Sequence, residues 1–136
     1  MVTDAAGVPL GVTVAGANRN DHLLLAETLA GIVVRRPRPT RARPQGLCLD
    51  KGYDYASTRA VARRLRLTLH LRTRGEERRA RRRGHKARRW VVERTHSWLN
   101  RFRRLLVRWE KKACNYEAML HLACATIVVG QAGLFG

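Results

Sequence analysis

The chain is short of acid. Its 136 residues hold 10 Asp and Glu against 28 Lys and Arg, a formal charge of +18. That deficit leaves few enough carboxylates to weigh singly. Lysine is scarce too, with only Lys51, Lys86, Lys111 and Lys112, so arginine carries the charge. GC-rich coding accounts for part of that bias, but a field of this sign still concentrates polyanions, nucleic acid first among them. The three cysteines, Cys48, Cys114 and Cys124, form no CxxC pair. Their number and spacing exclude a disulfide framework and a zinc site and read as reduced thiols in an apolar core. Long apolar runs are missing as well. Met1–Gly16 has no basic start leading into an apolar core, so no secretory signal is expected. Ala118–Gly130, interrupted by His121, falls short of the ~18 residues of a membrane span and reads as a buried helix. A cytoplasmic protein with no membrane partner is the expectation.

What is present supports a folded domain. Hydrophobic residues make up 45% of the sequence, enough for a core, and the length fits one domain. Met1-Val2-Thr3 reads as a strand stub entering a turn at Asp4-Ala5-Ala6-Gly7, with a Val-rich strand over Val8–Ala15. Asp21 is a suitable N-cap for a helix over His22–Val33, with Leu24, Leu25, Leu29 and Ile32 on its apolar face. Arg35–Pro44 holds three of the four prolines among several arginines and reads as a loop. Leu47-Cys48-Leu49 has the look of a buried strand ending at Asp50, followed by a turn over Lys51–Asp54 and a helix over Tyr55–Arg64. Leu67–Leu71 alternates as a strand. Arg72–Arg89 is a solvated basic loop, and helices are expected over Arg88–Glu110 and Tyr116–Gln131. Strands alternating with helices, then helices alone, predict an α/β fold with helices against one sheet.

Among the acids, Asp50 follows a strand, where ligands of open α/β sheets gather. Its alternative reading is a turn or cap aspartate. Glu93 sits on a helix whose apolar stripe runs through Val91, Trp98, Phe102, Leu105 and Trp109, with Val92, Leu99 and Leu106 beside it. The carboxylate lies opposite, among Arg89, His96, Ser97, Asn100 and Arg104, either facing a polar site or simply paired with Arg89 one turn away. Asp4 reads as a turn residue, Asp21 as a cap, and Glu76 and Glu77 as charge relief in a basic loop. Asp54 rivals Asp50.

Two segments go further. Leu47-Cys48-Leu49-Asp50-Lys51-Gly52-Tyr53-Asp54 and the run from Arg89 to Leu105 through Trp90, Glu93, His96, Trp98, Asn100 and Arg101 resemble DDE transposases of bacterial insertion sequences. Gly7–Leu10 and Thr13–Asp21 resemble the hairpin and helix entry of the same family. The resemblance implies a ribonuclease-H-like α/β fold with C-terminal helices, truncated so that its first strand is missing, making residues 1–136 a partial catalytic domain. It implies a D-D-E triad holding two Mg²⁺ or Mn²⁺ ions, with Asp50 as the second aspartate and Glu93 as the glutamate. Both would be catalytic metal ligands. The family's first aspartate would precede the hairpin, so the metal site is incomplete here, and Asp4 belongs to the turn. The resemblance also implies a Y-x2-R-x3-E-x6-K pattern, in which Arg89 fits the arginine, Lys86 stands for the tyrosine and Asn100 for the lysine, with Arg101 adjacent.

The implied function is metal-dependent cleavage of transposon ends and strand transfer into target DNA, with Arg89, Arg94, Asn100 and Arg101 against the DNA. A second copy or an upstream transposase half would be the protein partner. The alternative is an inactive remnant that only grips DNA or dimerises. A small basic ribosomal-type protein explains the charge but neither motif segment.

Overall fold

The computed structural model describes residues 1–71 and 90–134. The expected basic loop over Arg72–Arg89 lies outside them. The chain falls into two compact units that interleave along the sequence.

One unit joins residues 1–14, 31–33 and the C-terminal stretch from residue 89. Strands β1 (Val2–Thr3) and β2 (Pro9–Gly11) form an antiparallel hairpin. Asp4 makes its turn, as expected: Oδ1 accepts from the backbone N–H of Ala6 and of Val8, each at 2.8 Å. Gly7, at φ +89°, completes it. The expected strand over Val8–Ala15 ends early, at Gly11. There the backbone runs so close to Gly31 that a Cβ on Gly11 would stand 3.0 Å from its carbonyl. Val12 and Val14 instead turn their side chains onto the core.

The expected helix over Arg88–Glu110 is two helices, α3 (Trp90–Leu99) and α4 (Arg103–Leu106). Helix α5 (Ala113–Gln131) follows. The break at Asn100–Phe102 leaves Trp98, Phe102 and Leu105 packed on a core of Leu99, Leu120, Ala123 and Ile127. Beyond it the predicted stripe fails. Trp109 is 73% exposed and Leu106 is exposed too, as is Val92 upstream of the break. Helix α5 starts upstream of the apolar run read from sequence, and its 19 residues are long and apolar enough to cross a membrane by length and composition. Within this unit it supplies Leu120, Ala123 and Ile127 to the core.

The second unit joins residues 15–30 to residues 34–88. Helix α1 (Asp21–Ala30) stops before the predicted Val33, ahead of Gly31. Strands β3 (Gln45–Leu49) and β4 (Leu67–Leu71) pair in parallel, with Leu47 opposite Leu69 and Leu49 opposite Leu71. Helix α2 (Ala56–Arg64) crosses between them and packs on β4 and α1. Leu25, Leu29, Leu47 and Ala62 form the apolar interior.

Because side chains alternate along a strand, Cys48 falls on the opposite face from Leu47 and is exposed, as are Gly46, Thr68 and His70. The expectation of core thiols therefore fails for Cys48, and for Cys114, also exposed. Cys124 is half-buried, and burial pushes its thiol pKa up.

Candidate functional site

Asp50 stands where β3 runs out, at the carboxyl end of the parallel pair. It caps the short 3-10 turn Lys51–Tyr53: Oδ1 accepts from the Gly52 N–H at 2.9 Å, and its carbonyl accepts from the Tyr53 N–H at 3.2 Å. The cap reading of Asp50 is thus met, at a position just past the carboxyl end of the strand. The cap fixes the carboxylate through one oxygen, and the side chain remains exposed. Asp54 is drawn aside into an ion pair with Arg59.

Helices α1 and α2 both begin at this end of the unit. His22 stacks on Tyr55, with ring centroids 3.8 Å apart and planes 17° from parallel. Tyr53 lies half-buried between the turn and α1. Burial pushes its phenol pKa up, and the charges of Asp21 and then Asp50 push it further. Two carboxylates thus act on one phenol. Asp21, read from sequence as a helix cap, shares the electrostatic neighbourhood of Asp50. The signal for it in the sequence is the polar Asn18-Arg19-Asn20-Asp21 segment at the helix entry.

Glu93 belongs to the other unit. Val91, Thr95 and Leu99 are buried, while Glu93, His96, Ser97 and Asn100 are exposed, so the polar face expected from periodicity is present. The hairpin clasps the helix from behind. The Thr95 hydroxyl, fully buried, donates to the Gly7 carbonyl at 2.5 Å and lies 3.1 Å from the Val91 carbonyl. Arg94 donates to the Ala6 carbonyl at 3.3 Å and stands 5.9 Å from the Trp98 ring centroid. Thr95 went unnoticed in the sequence because a threonine in mid-helix carries no periodic signal. Arg104, expected on the polar face, pairs with Glu110 at 3.2 Å. Arg101 is exposed, and Arg89 and Lys86 lie outside the described residues.

Asp50 and Glu93 therefore sit in different compact units, each at the exposed end or face of its own element. Among the described residues no group of three or more His, Cys, Asp or Glu comes together to hold a metal ion. Asp50 has the right donor chemistry, hard carboxylate oxygen. Neither unit assembles a complete ligand set from its described residues.

Residues 1–128 match the family described as the transposase DDE domain. The chain belongs to that family. The resemblance read from the Asp50 and Glu93 segments is borne out. A protein of Burkholderia cepacia named "Putative transposase for insertion sequence element IS402" is 38% identical over 130 residues, 93% of this chain. The transposase DDE domain chain spans 60% of that relative's length. No solved structure matches it.

Proposed function

We propose that the chain is part of a DNA transposase that cuts transposon ends and joins them to target DNA. Residues 1–136 form one partial, ribonuclease-H-like catalytic domain in this reading. The observation that carries it is the position of Asp50, exposed at the carboxyl end of a parallel strand pair in a chain of the transposase DDE domain family. In this reading the exposed face of the parallel pair, seen among the described residues, is consistent with a larger assembly, because parallel sheets are ordinarily covered on both faces.

Asp50 and Glu93 would hold the metal, Mg²⁺ or Mn²⁺, with a further carboxylate from the upstream transposase half. Bound divalent ions supply nucleophile activation and stabilisation of the leaving oxygen in phosphodiester chemistry. The cap from Gly52 orients Asp50 before any ligand arrives, and α3 presents Glu93 on the same face as Asn100. Arg89, Arg94, Asn100 and Arg101 would position the DNA end, in a cytoplasmic complex that includes a second copy or that upstream half.

The alternative, a remnant that grips DNA without cutting, is favoured by the lack of a three-ligand group among the described residues of either unit. One experiment separates the two. The chain is mixed with the unmatched segment of the Burkholderia relative, Mn²⁺ and labelled element-end DNA. Nicking that disappears with Asp50→Asn and with Glu93→Gln supports the catalytic reading. Binding without nicking supports the remnant, and nicking that survives both substitutions overturns the site assignment.

A further inference from the structure

Charge is unevenly placed about β3. Just past its carboxyl end stand Asp50 and, after the 3-10 turn, Asp54, with Asp21 near enough to act on Tyr53. The amino ends carry only arginine. Because the strands are parallel, Gln45 and Leu67 start side by side. The segments leading into them bring Arg35, Arg36, Arg38, Arg41 and Arg43 from the proline-rich loop and Arg63, Arg64 and Arg66 from the end of α2. No Asp or Glu occurs from residue 28 to 49 or from 55 to 71.

The loop is fixed to this end of the sheet. Arg36 donates to the Leu65 carbonyl at 2.9 Å, and the Gln45 side chain donates to the Pro37 carbonyl at 2.8 Å. Thr40 and Arg43 close a turn between them, with the Arg43 N–H on the Thr40 hydroxyl at 3.0 Å and the Thr40 N–H on the Arg43 carbonyl at 3.2 Å. Arg36 is half-buried in this role, whereas the other seven arginines are exposed. Placing Arg63 and Arg64 in the last turn of α2 suits the helix dipole, which accounts for those two. It does not account for Arg35, Arg38, Arg41, Arg43 or Arg66. Holding so many like charges together costs self-repulsion, and among the described residues no carboxylate pairs with any of the eight.

We infer that this arginine-lined end of the second unit is a binding site for the phosphate backbone of duplex DNA, separate from the Asp50 end. Arginine suits it, since the planar guanidinium pairs two N–H groups with phosphate oxygens. The strands between the two ends span four residue steps, roughly 13 Å at about 3.3 Å each, so the patch meets DNA away from any chemistry at Asp50. Contacts of this kind position a duplex without reading its sequence. The inference rests on the transposase reading for its choice of DNA.

The test measures binding of the full chain to a short duplex of unrelated sequence across a salt series. Arg38→Gln, Arg41→Gln and Arg43→Gln are combined; Arg36 is kept because it anchors the loop. Three lost phosphate contacts should make the log–log salt slope shallower by about 2.7, at roughly 0.9 per contact. An unchanged melting curve checks that the fold survives. A control variant carries Arg103→Gln, Lys111→Gln and Lys112→Gln, which remove as much exposed charge elsewhere. A wild-type slope in the loop variant overturns the patch alone, and an equal fall in the control attributes the effect to net charge and also overturns it. Tighter binding to an RNA hairpin than to the duplex overturns the choice of DNA. A wild-type chain that binds no duplex at any salt overturns both the patch and the transposase reading.

Discussion

The two units hold their candidate carboxylates by different means. In the first, Glu93 rides on a helix fixed by apolar packing, with Leu99 in the core beside Leu120, Ala123 and Ile127 and the hairpin clasped behind. In the second, Asp50 is fixed by polar contacts at a strand end, its carboxylate tied to a backbone N–H and surrounded by Tyr53 and the start of α1. Their surfaces are less distinct. The first exposes Leu106, Val107, Trp109, Leu122, Val128 and Leu134 together with Arg101, Arg103, Lys111 and Lys112, and the second exposes Leu23, Val34 and Tyr55 together with its bank of arginines. A carboxylate held by packing should respond to lost volume, and one held by polar contacts should respond to lost charge.

The strongest way to break that comparison is Leu120→Ala. Removing a buried leucine side chain costs about 3 kcal/mol when the cavity does not collapse, and Leu120 is only 9% exposed. Hydrogen exchange should quicken through α3 and α5 while the β3 and β4 amides keep their protection. Equal loss in both units would mean that they unfold together, and the contrast drawn here would fail.

A smaller effect is expected at the hairpin. Gly7 has φ +89°, and a Cβ there would stand 3.1 Å from the Val91 carbonyl and 3.3 Å from the Thr95 hydroxyl. Gly7→Ala should cost about 2 kcal/mol, from the left-handed backbone and the crowding together. Chemical denaturation reads the loss. If the substitution is neutral, the clasp does not hold the Glu93 helix.

The sequence disclosed local devices better than tertiary ones. Asp4, Gly7 and the Lys51–Asp54 turn were legible because their chemistry acts within a few residues. Strands β3 and β4 were legible from their apolar runs, though not that one face would stay open and leave Cys48 exposed. The Val91–Trp109 stripe misled because nothing between Leu99 and Arg103 is a proline or glycine. The break is tertiary: N–H groups of Arg101 and Phe102 bond the carbonyls of Trp98 and Leu99, three residues back, and the turn brings both Leu99 and Leu105 to the α5 core. Of the candidate site, the sequence singled out Asp50 and Glu93 from their segments. It did not show that Asp21 shares the surroundings of Asp50, because that neighbourhood joins residues nearly thirty apart through the packing of α1 on the turn.

The finest probe of the polar end is Tyr53 itself. Its phenol pKa is raised above 10.0, first by burial, then by Asp21, then by Asp50. A raised pKa means the folded state holds the proton more tightly than the unfolded one. The stability this contributes is complete below the unfolded value near 10 and declines as pH climbs from there through the folded pKa. Asp21→Asn should lower the Tyr53 midpoint, and Asp50→Asn should lower it by less, following the order of the two charges. Asparagine accepts a hydrogen bond as aspartate does, so the cap on Gly52 survives while the charge goes, and burial still keeps the midpoint above 10. The phenolate absorbance of the chain, less that of Tyr53→Phe, isolates this titration from Tyr55 and Tyr116. A midpoint unmoved by Asp21→Asn would show that the carboxylate does not act on the phenol, leaving Asp50 without its neighbour and the second unit without the polar cluster that sets it apart from the first.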